Sequence, residues 1–502
     1  MSPNRFLILF LLPLLAACPA KSKSPLLFLG EMSASASLPT DWVQDAYLKA
    51  SNAGAGDHFG FSVAVAGDIA VIGSGPFAYI FEKDNAGIWT EVTYLQPFNS
   101  PPTTNFVCSI DMEDSTIVIG ACTDDNASTS TVNVDNASIT YTGTASHSGA
   151  VYVFKKDPAG NWIQDAYLKA SNAGADDAFG ASVAISDNTI VVGAYREDNS
   201  STTINNTDSA AIIDAGTGND SGAVYVFKQD GSGNWVQDAY LKASNAGAGD
   251  LFGQAIAISE STIVVGAPIE GNGSTAINNT DNAPIVDTGT VNMAGAAYIF
   301  KKNPIGDWIQ DAYLKPSLLS AFDLFGVSVG ISADLIAIGA NGVGDEGSVY
   351  IFRSTNEGSW YQSGQLKASN ASVSDAFGTN VAVSDSMIIV SAISESNAFS
   401  GINNNNNAVI NDTGTITDSG AVYIFRLGAE GIWYQDAYVK ASNPDESDFF
   451  GWHGIAISGS TLVVGARWED NASTAINNTD NATIIDEGTA INSGAAYIFT
   501  LK

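Results

Sequence analysis

One phrase dominates this chain. Trp-Val-Gln-Asp-Ala-Tyr-Leu-Lys-Ala-Ser-Asn begins at Trp42 and returns, closely or loosely, behind Trp89, Trp162, Trp235, Trp308, Trp360 and Trp433. The intervals are 47, 73, 73, 73, 52 and 73 residues, so seven copies of one unit fill most of the 502 residues. Self-similarity at a fixed period marks a fold of stacked, like units. It displaces the three or so domains that length alone suggests.

The third unit shows what one copy makes. Phe179 to Ile185 alternates large and small residues and ends in a turn at Asp187-Asn188. Thr189 to Ala194 is a second β-rich run, and Gly222 to Phe227 follows a long polar insertion. A Gly-rich turn leads into Trp235 to Lys242. Four short strands separated by Gly, Asn and Asp turns describe one propeller blade. A single blade exposes two apolar faces and two edges, so it needs neighbours on both sides. The chain opens on a fourth strand at Trp42 and closes on a third strand, Ala495 to Phe499. The two segments therefore complete one blade, and the expected fold is an all-β, seven-bladed propeller of four-stranded blades, closed by the N-terminal strand.

The motif residues resemble the FG-GAP repeats of integrin α-chain heads and bacterial surface proteins. The matching pairs are Phe59-Gly60, Phe179-Gly180, Phe252-Gly253, Phe325-Gly326, Phe377-Gly378 and Phe450-Gly451, with Gly266-Ala267-Pro268 as the clearest second half. Blade two departs, because Val107 follows Phe106. The Phe reads as a wedge between blades and the Gly as a place where a Cβ would obstruct. An Asp stands two residues before the Phe in six copies (Asp57, Asp177, Asp250, Asp323, Asp375, Asp448) and reads as a turn cap that accepts backbone N–H bonds. The resemblance implies a surface binding module.

Residues 1–17 read as a lipoprotein signal peptide. Arg5 precedes an apolar run from Phe6 to Leu15, too short to span a bilayer. Leu15-Ala16-Ala17-Cys18 resembles the lipobox of bacterial lipoproteins, which implies lipidation of Cys18 and anchoring at the bacterial outer membrane or cell surface. Residues 18–39 read as a tether and 40–502 as the propeller.

A formal charge of -33, from 20 Lys plus Arg against 53 Asp plus Glu, excludes nucleic acid as a partner and leaves the lipid as the one link to a membrane. Five blades carry long polar insertions between their second and third strands. Their carboxylates (Glu197, Asp198, Asp208 and Asp214; Glu270, Asp281 and Asp287; Glu469, Asp470, Asp480 and Asp486) are candidate Ca²⁺ ligands, since calcium takes several hard oxygens. The competing reading is plain hydrogen-bonded loops, with the recurring Ile residues plugging them onto the ring. Cys108 and Cys122 flank a turn at Asp114-Ser115 and lie near-opposite on antiparallel neighbours, a disulfide expectation for an exported chain. Trp452 and Trp468, the tryptophans outside the repeated opening, are candidate contacts for a sugar or protein. His58, His147 and His453 share no repeat position, and no catalytic residue stands out. The expected function is a non-enzymatic, surface-exposed binding or adhesion module that presents its long inter-strand loops to a protein or polysaccharide. The alternatives are a structural envelope subunit and an extracellular polysaccharide hydrolase or lyase.

Overall fold

A computed structural model describes residues 41–502, apart from 99–105, 210–211, 213–217, 287, 411–413, 486–487 and 489. The leader, Cys18 and the tether lie outside the described residues. Seven antiparallel sheets follow one another along the chain. Blade three is typical: Ser182–Ser186, Thr189–Ala194, Ala223–Gln229 and Trp235–Leu241 pair in sequence order. The first strands of the seven blades touch in an unbroken circle, blade seven returning to blade one. The molecule is a seven-bladed β-propeller.

The seventh blade is made from both ends of the chain. Trp42–Leu48 pairs antiparallel with Ala495–Leu501, Gln44 opposite Phe499. Asp41 and Lys502 exchange backbone hydrogen bonds at 3.3 and 2.9 Å, so the termini of this unit sit side by side.

Each junction between blades holds its own apolar core. The cluster between blades seven and one, for example, unites Ala46, Leu48, Val463 and Ile498 with Phe59, Val65 and Ile72. The motif phenylalanines (Phe59, Phe106, Phe179, Phe252, Phe325, Phe377 and Phe450) are all fully buried. Each lies edge-on to a third-strand Tyr, as Phe179 does to Tyr225 at 5.2 Å. The following Gly has a physical reason. Gly180 takes φ +88°, and a Cβ there would lie 2.6 Å from the Ala150 carbonyl. Blade two manages with Val107 because that residue does not enter the positive-φ region.

Hydroxyls staple the inner circle. Ser109, Ser182 and Ser328 donate to Gly180, Gly253 and Gly378 carbonyls of the next blade at 2.8–2.9 Å. At the other end of the strands, Ser458 of blade seven accepts from Gly67 N of blade one at 3.2 Å, closing the circle.

The long insertions add to the four-stranded plan. In blade six Ile402–Asn403 pairs beside the fourth strand, making five. Val132, Asn205, Asn278 and Asn477 form equivalent bridges to Tyr167, Tyr240, Tyr313 and Tyr47. The next residue reaches the adjacent blade. Asn206 Oδ1 accepts from Trp308 N at 2.7 Å, and its Nδ2 donates to Trp308 O at 3.0 Å. Asn478 does the same to Trp89 across the closing seam. The insertions are straps along the ring's outer wall. The Ile plugs are real as well: Ile139, Ile212, Ile285, Ile410 and Ile484 all pack on blade cores.

Candidate functional site

The calcium expectation rests on the insertion carboxylates. Glu197 is buried, and its carboxylate takes Lys242 Nζ at 3.1 Å, Tyr240 OH at 2.9 Å and Asn172 Nδ2 at 2.9 Å. Glu270 meets Lys315, Tyr313 and Asn245 in the same way, and Glu469 meets Lys49, Tyr47 and Asn443. Glu395 of blade six repeats the set with Lys440, Tyr438 and Asn370. Blade two uses the shorter Asp124, whose carboxylate is 3.8 Å from Lys169 Nζ. Burial there holds the Lys169 ammonium down at about 8.

These acids do not fit a calcium site. Their partner is a buried ammonium, which supplies the positive charge that a metal would otherwise bring. The remaining candidates are scattered. Asp198 and Asp470 accept the backbone N–H of Asp220 and Asn492. Asp208, Asp281 and Asp480 face Lys228, Lys301 and Lys502 near the surface. Among the described residues no three His, Cys, Asp or Glu side chains gather around a common point suited to a metal. Asp214, Asp287 and Asp486 lie outside the described residues.

The six motif Asp residues form one kind of cap. Each carboxylate accepts the N–H of the residue three positions before it, at 2.7–2.8 Å (Gly54, Gly174, Gly247, Ser320, Ser372 and Asp445). Cys108 and Cys122 are joined by a disulfide, with Cα atoms 5.8 Å apart. It lies where blade two's first strand begins and its second ends.

At the corresponding place blade seven carries something else. The run from Phe450 to Ser458 holds one residue more than its counterparts, such as Phe179 to Ser186. The extra residue is accommodated as a bulge: Trp452 and His453 stand where other blades have one residue, and His453 takes φ +57°. Such bulges re-aim side chains. Here the result is a packed group of rings. The His453 imidazole stacks on Trp452 and on Phe61 of blade one, centroids 5.6 and 5.8 Å away and both 24° from parallel. Phe449 and Trp468 close the group, each 5.2–5.7 Å from its neighbours.

Arg467 lies in the middle. Its guanidinium sits 3.8 Å from the Trp452 ring centroid, 5.0 Å from Phe61 and 5.3 Å from Trp468. It has no ion pair among the described residues, and its buried Nε–H has no acceptor. Burial holds the guanidinium down at about 10. His453 is exposed at the rim yet has protein on several sides. That enclosure, with Arg467 beside it, lowers the imidazole to about 4, so it is neutral near pH 7.

The profile of the FG-GAP repeat matches residues 42–86, 162–227, 235–300, 308–352, 360–425 and 433–499. This chain belongs to the FG-GAP repeat family. The unmatched stretch 87–161 holds the blade in which Val107 replaces the motif glycine. No curated protein matches the chain. Solved structures are similar to the chain at low identity. A Bacteroides uniformis protein provisionally termed a 6-phosphogluconolactonase is 12% identical with a TM-score of 0.45, covering 90% of this chain and 100% of its own. Sqt1 of Saccharomyces cerevisiae is 12% identical with a TM-score of 0.39, covering 91% and 99%. A streptogramin B lyase is 10% identical with a TM-score of 0.43, covering 90% and 96%.

Within the FG-GAP frame, two kinds of residue escaped the sequence reading. The lysine two residues after the fourth-strand Tyr reads as part of a strand in the sequence, and it is the cationic half of each buried acid–lysine pair, the clamp that holds an insertion. A signal was present: Tyr-x-Lys co-occurs with Glu/Asp-x-Asn in blades two, three, four, six and seven. Blade one has Tyr94-Leu95-Gln96 and blade five Gln365-Leu366-Lys367, and both lack the insertion. Arg467 was missed too, though the flanking tryptophans were singled out.

Proposed function

We propose that this FG-GAP propeller is a non-enzymatic, surface-exposed binding module, held to the cell envelope by a lipid on Cys18. Its contact site is the Arg467 ring cluster at the mouth of blades seven and one. One observation carries this reading. The buried acids of the repeat are committed to clamps that fasten the insertions, whereas the cluster is an unrepeated departure created by an inserted residue. A feature copied in every blade is framework; recognition needs an asymmetric patch. Aromatic rings and Arg are the residue types enriched where proteins make energetic contacts. The straps make the surrounding rim rigid, which lowers the ordering cost of binding.

Arrays of envelope and matrix polysaccharides and of surface proteins, probed with the full chain, test the reading. Retention of a ligand that the W452A/W468A double variant loses supports it. Ligand binding that survives the double variant, or no binding at all, overturns it. The anchor is tested separately: labelled fatty acid should be incorporated into the wild type and not into a C18S variant.

A further inference from the structure

We infer that the cluster recognises a carboxylated sugar, with Arg467 pairing the carboxylate and the flanking rings stacking on the sugar face. The inference rests on the binding reading above and names its ligand class.

Four observations converge. First, Arg467 carries a positive charge without a carboxylate partner among the described residues, in a chain with 53 acidic residues. Arg353 and Arg426, by contrast, are paired with Asp334 and Asp436, and Arg196, which also has no ion pair among the described residues, lies over the single ring of Tyr195. An arginine partly desolvated among rings and left without an anion is a site prepared for one. Its planar fork of donors matches a carboxylate in particular.

Second, Phe61, His453 and Trp452 form a near-parallel stack. Half-buried rings beside a polar anchor suit a ligand that is itself amphipathic. A pyranose has C–H faces for the rings and equatorial hydroxyls for the neutral His453, whose two nitrogens can donate and accept.

Third, the arrangement is built. The extra residue at Trp452-His453 interrupts the regular start of the strand and re-aims both rings toward Phe61 and Arg467. Fourth, the chain's charge of -33 limits the anion. A dense polyanion would be repelled by the molecule as a whole. An isolated carboxylate on an otherwise neutral glycan meets one local cation and little opposing field.

The seam position also allows these residues to serve only as a brace between blades seven and one. The test therefore compares ligands on the unaltered protein before it uses variants. Calorimetry with the full chain measures a neutral oligosaccharide bearing a single uronic acid, the same oligosaccharide methyl-esterified, a wholly neutral oligosaccharide of equal length, and a hexapeptide with a free C-terminal carboxylate. The free acid should bind at least about tenfold more tightly than its ester, the factor for losing one charge-assisted hydrogen-bonded pair. R467Q should remove that preference while thermal melting stays near wild type, and R467K should restore part of it. Equal binding of acid, ester and neutral sugar overturns this inference and leaves the binding reading standing. Binding of the peptide alone overturns it in favour of a protein carboxylate. No binding by any of the four, with a stable fold, overturns the ligand class and leaves the arrays to judge the binding reading.

Discussion

At the scale of single residues, the repeat reveals itself best where a copy fails. Five of the opening tryptophans donate their indole N–H to an Asp of the preceding blade's fourth strand: Trp42 to Asp436, Trp89 to Asp45, Trp235 to Asp165, Trp308 to Asp238 and Trp360 to Asp311, all at 2.9–3.2 Å. Trp162 Nε1 is buried without a partner. The cause is one position in blade one, where Val92 occupies the place of Asp45 and is 47% exposed. V92D should supply the acceptor and also face Lys156, which already lies over the Trp162 ring. Chemical denaturation should show a gain of about 1 kcal/mol, the usual net value of a completed hydrogen bond. A loss would mean that Val92 contributes packing the pattern does not show. Tyr350 OH lacks an acceptor for a parallel reason: Leu318 stands where Asn172, Asn245 and Asn443 receive the equivalent tyrosines.

At the scale of elements, strap and clamp are one device. In the five strapped blades the fourth strand is buried along most of its length, as in Trp308–Leu314. In blades one and five, without straps, the same strand alternates with solvent, and Val92, Tyr94 and Tyr361 stand exposed. A strap of this length, polar and rich in Asn, is held down by its bridge to the fourth strand, its Asn reaching the next blade, its plug and its clamp. Removing one clamp ion should therefore loosen it. K242M leaves Glu197 buried and unpaired, a situation that costs about 3–5 kcal/mol. Hydrogen exchange in the blade-three strap, residues 197–222, should accelerate strongly while the blade-six strap is unchanged. Uniform exchange across both straps would show that the clamp does not act locally. The sequence made these straps visible as insertions with recurring Ile, and the plugs follow from that. Their acids stand in the sequence as candidate metal ligands beside a hydrogen-bonded reading, because an acid-rich loop looks the same whether its counter-charge is a cation or a lysine from another strand. Glu197 and Lys242 are 45 residues apart, and Glu469 and Lys49 are 420 apart.

At the scale of the whole molecule, stability comes from closing the circle. Seven interfaces are buried instead of six, and the last depends on a strand from the opposite end of the chain. Since Asp41 and Lys502 are hydrogen-bonded neighbours, the seam need not coincide with the termini. A circular permutant joining residue 502 to 41 through a short Gly-Ser linker, opened in the exposed blade-three turn between Gly231 and Ser232, should fold with a melting temperature within a few degrees of the linear chain. Failure to fold would show that the N-terminal strand must dock last, and that chain order matters beyond geometry.

Seven units, their four strands, the closing pairing of Trp42 with the final strand and the Phe wedge were all legible in the one-dimensional order. Each unit encodes its strands locally, and identical apolar faces have no way to bury themselves except against one another. Which acid meets which lysine was settled by the fold alone. So was the gathering of Arg467 between rings from Phe61 and Trp452, nearly four hundred residues apart. The reason is that a buried charge is defined by its surroundings, and those surroundings exist only once distant strands have shared an interior.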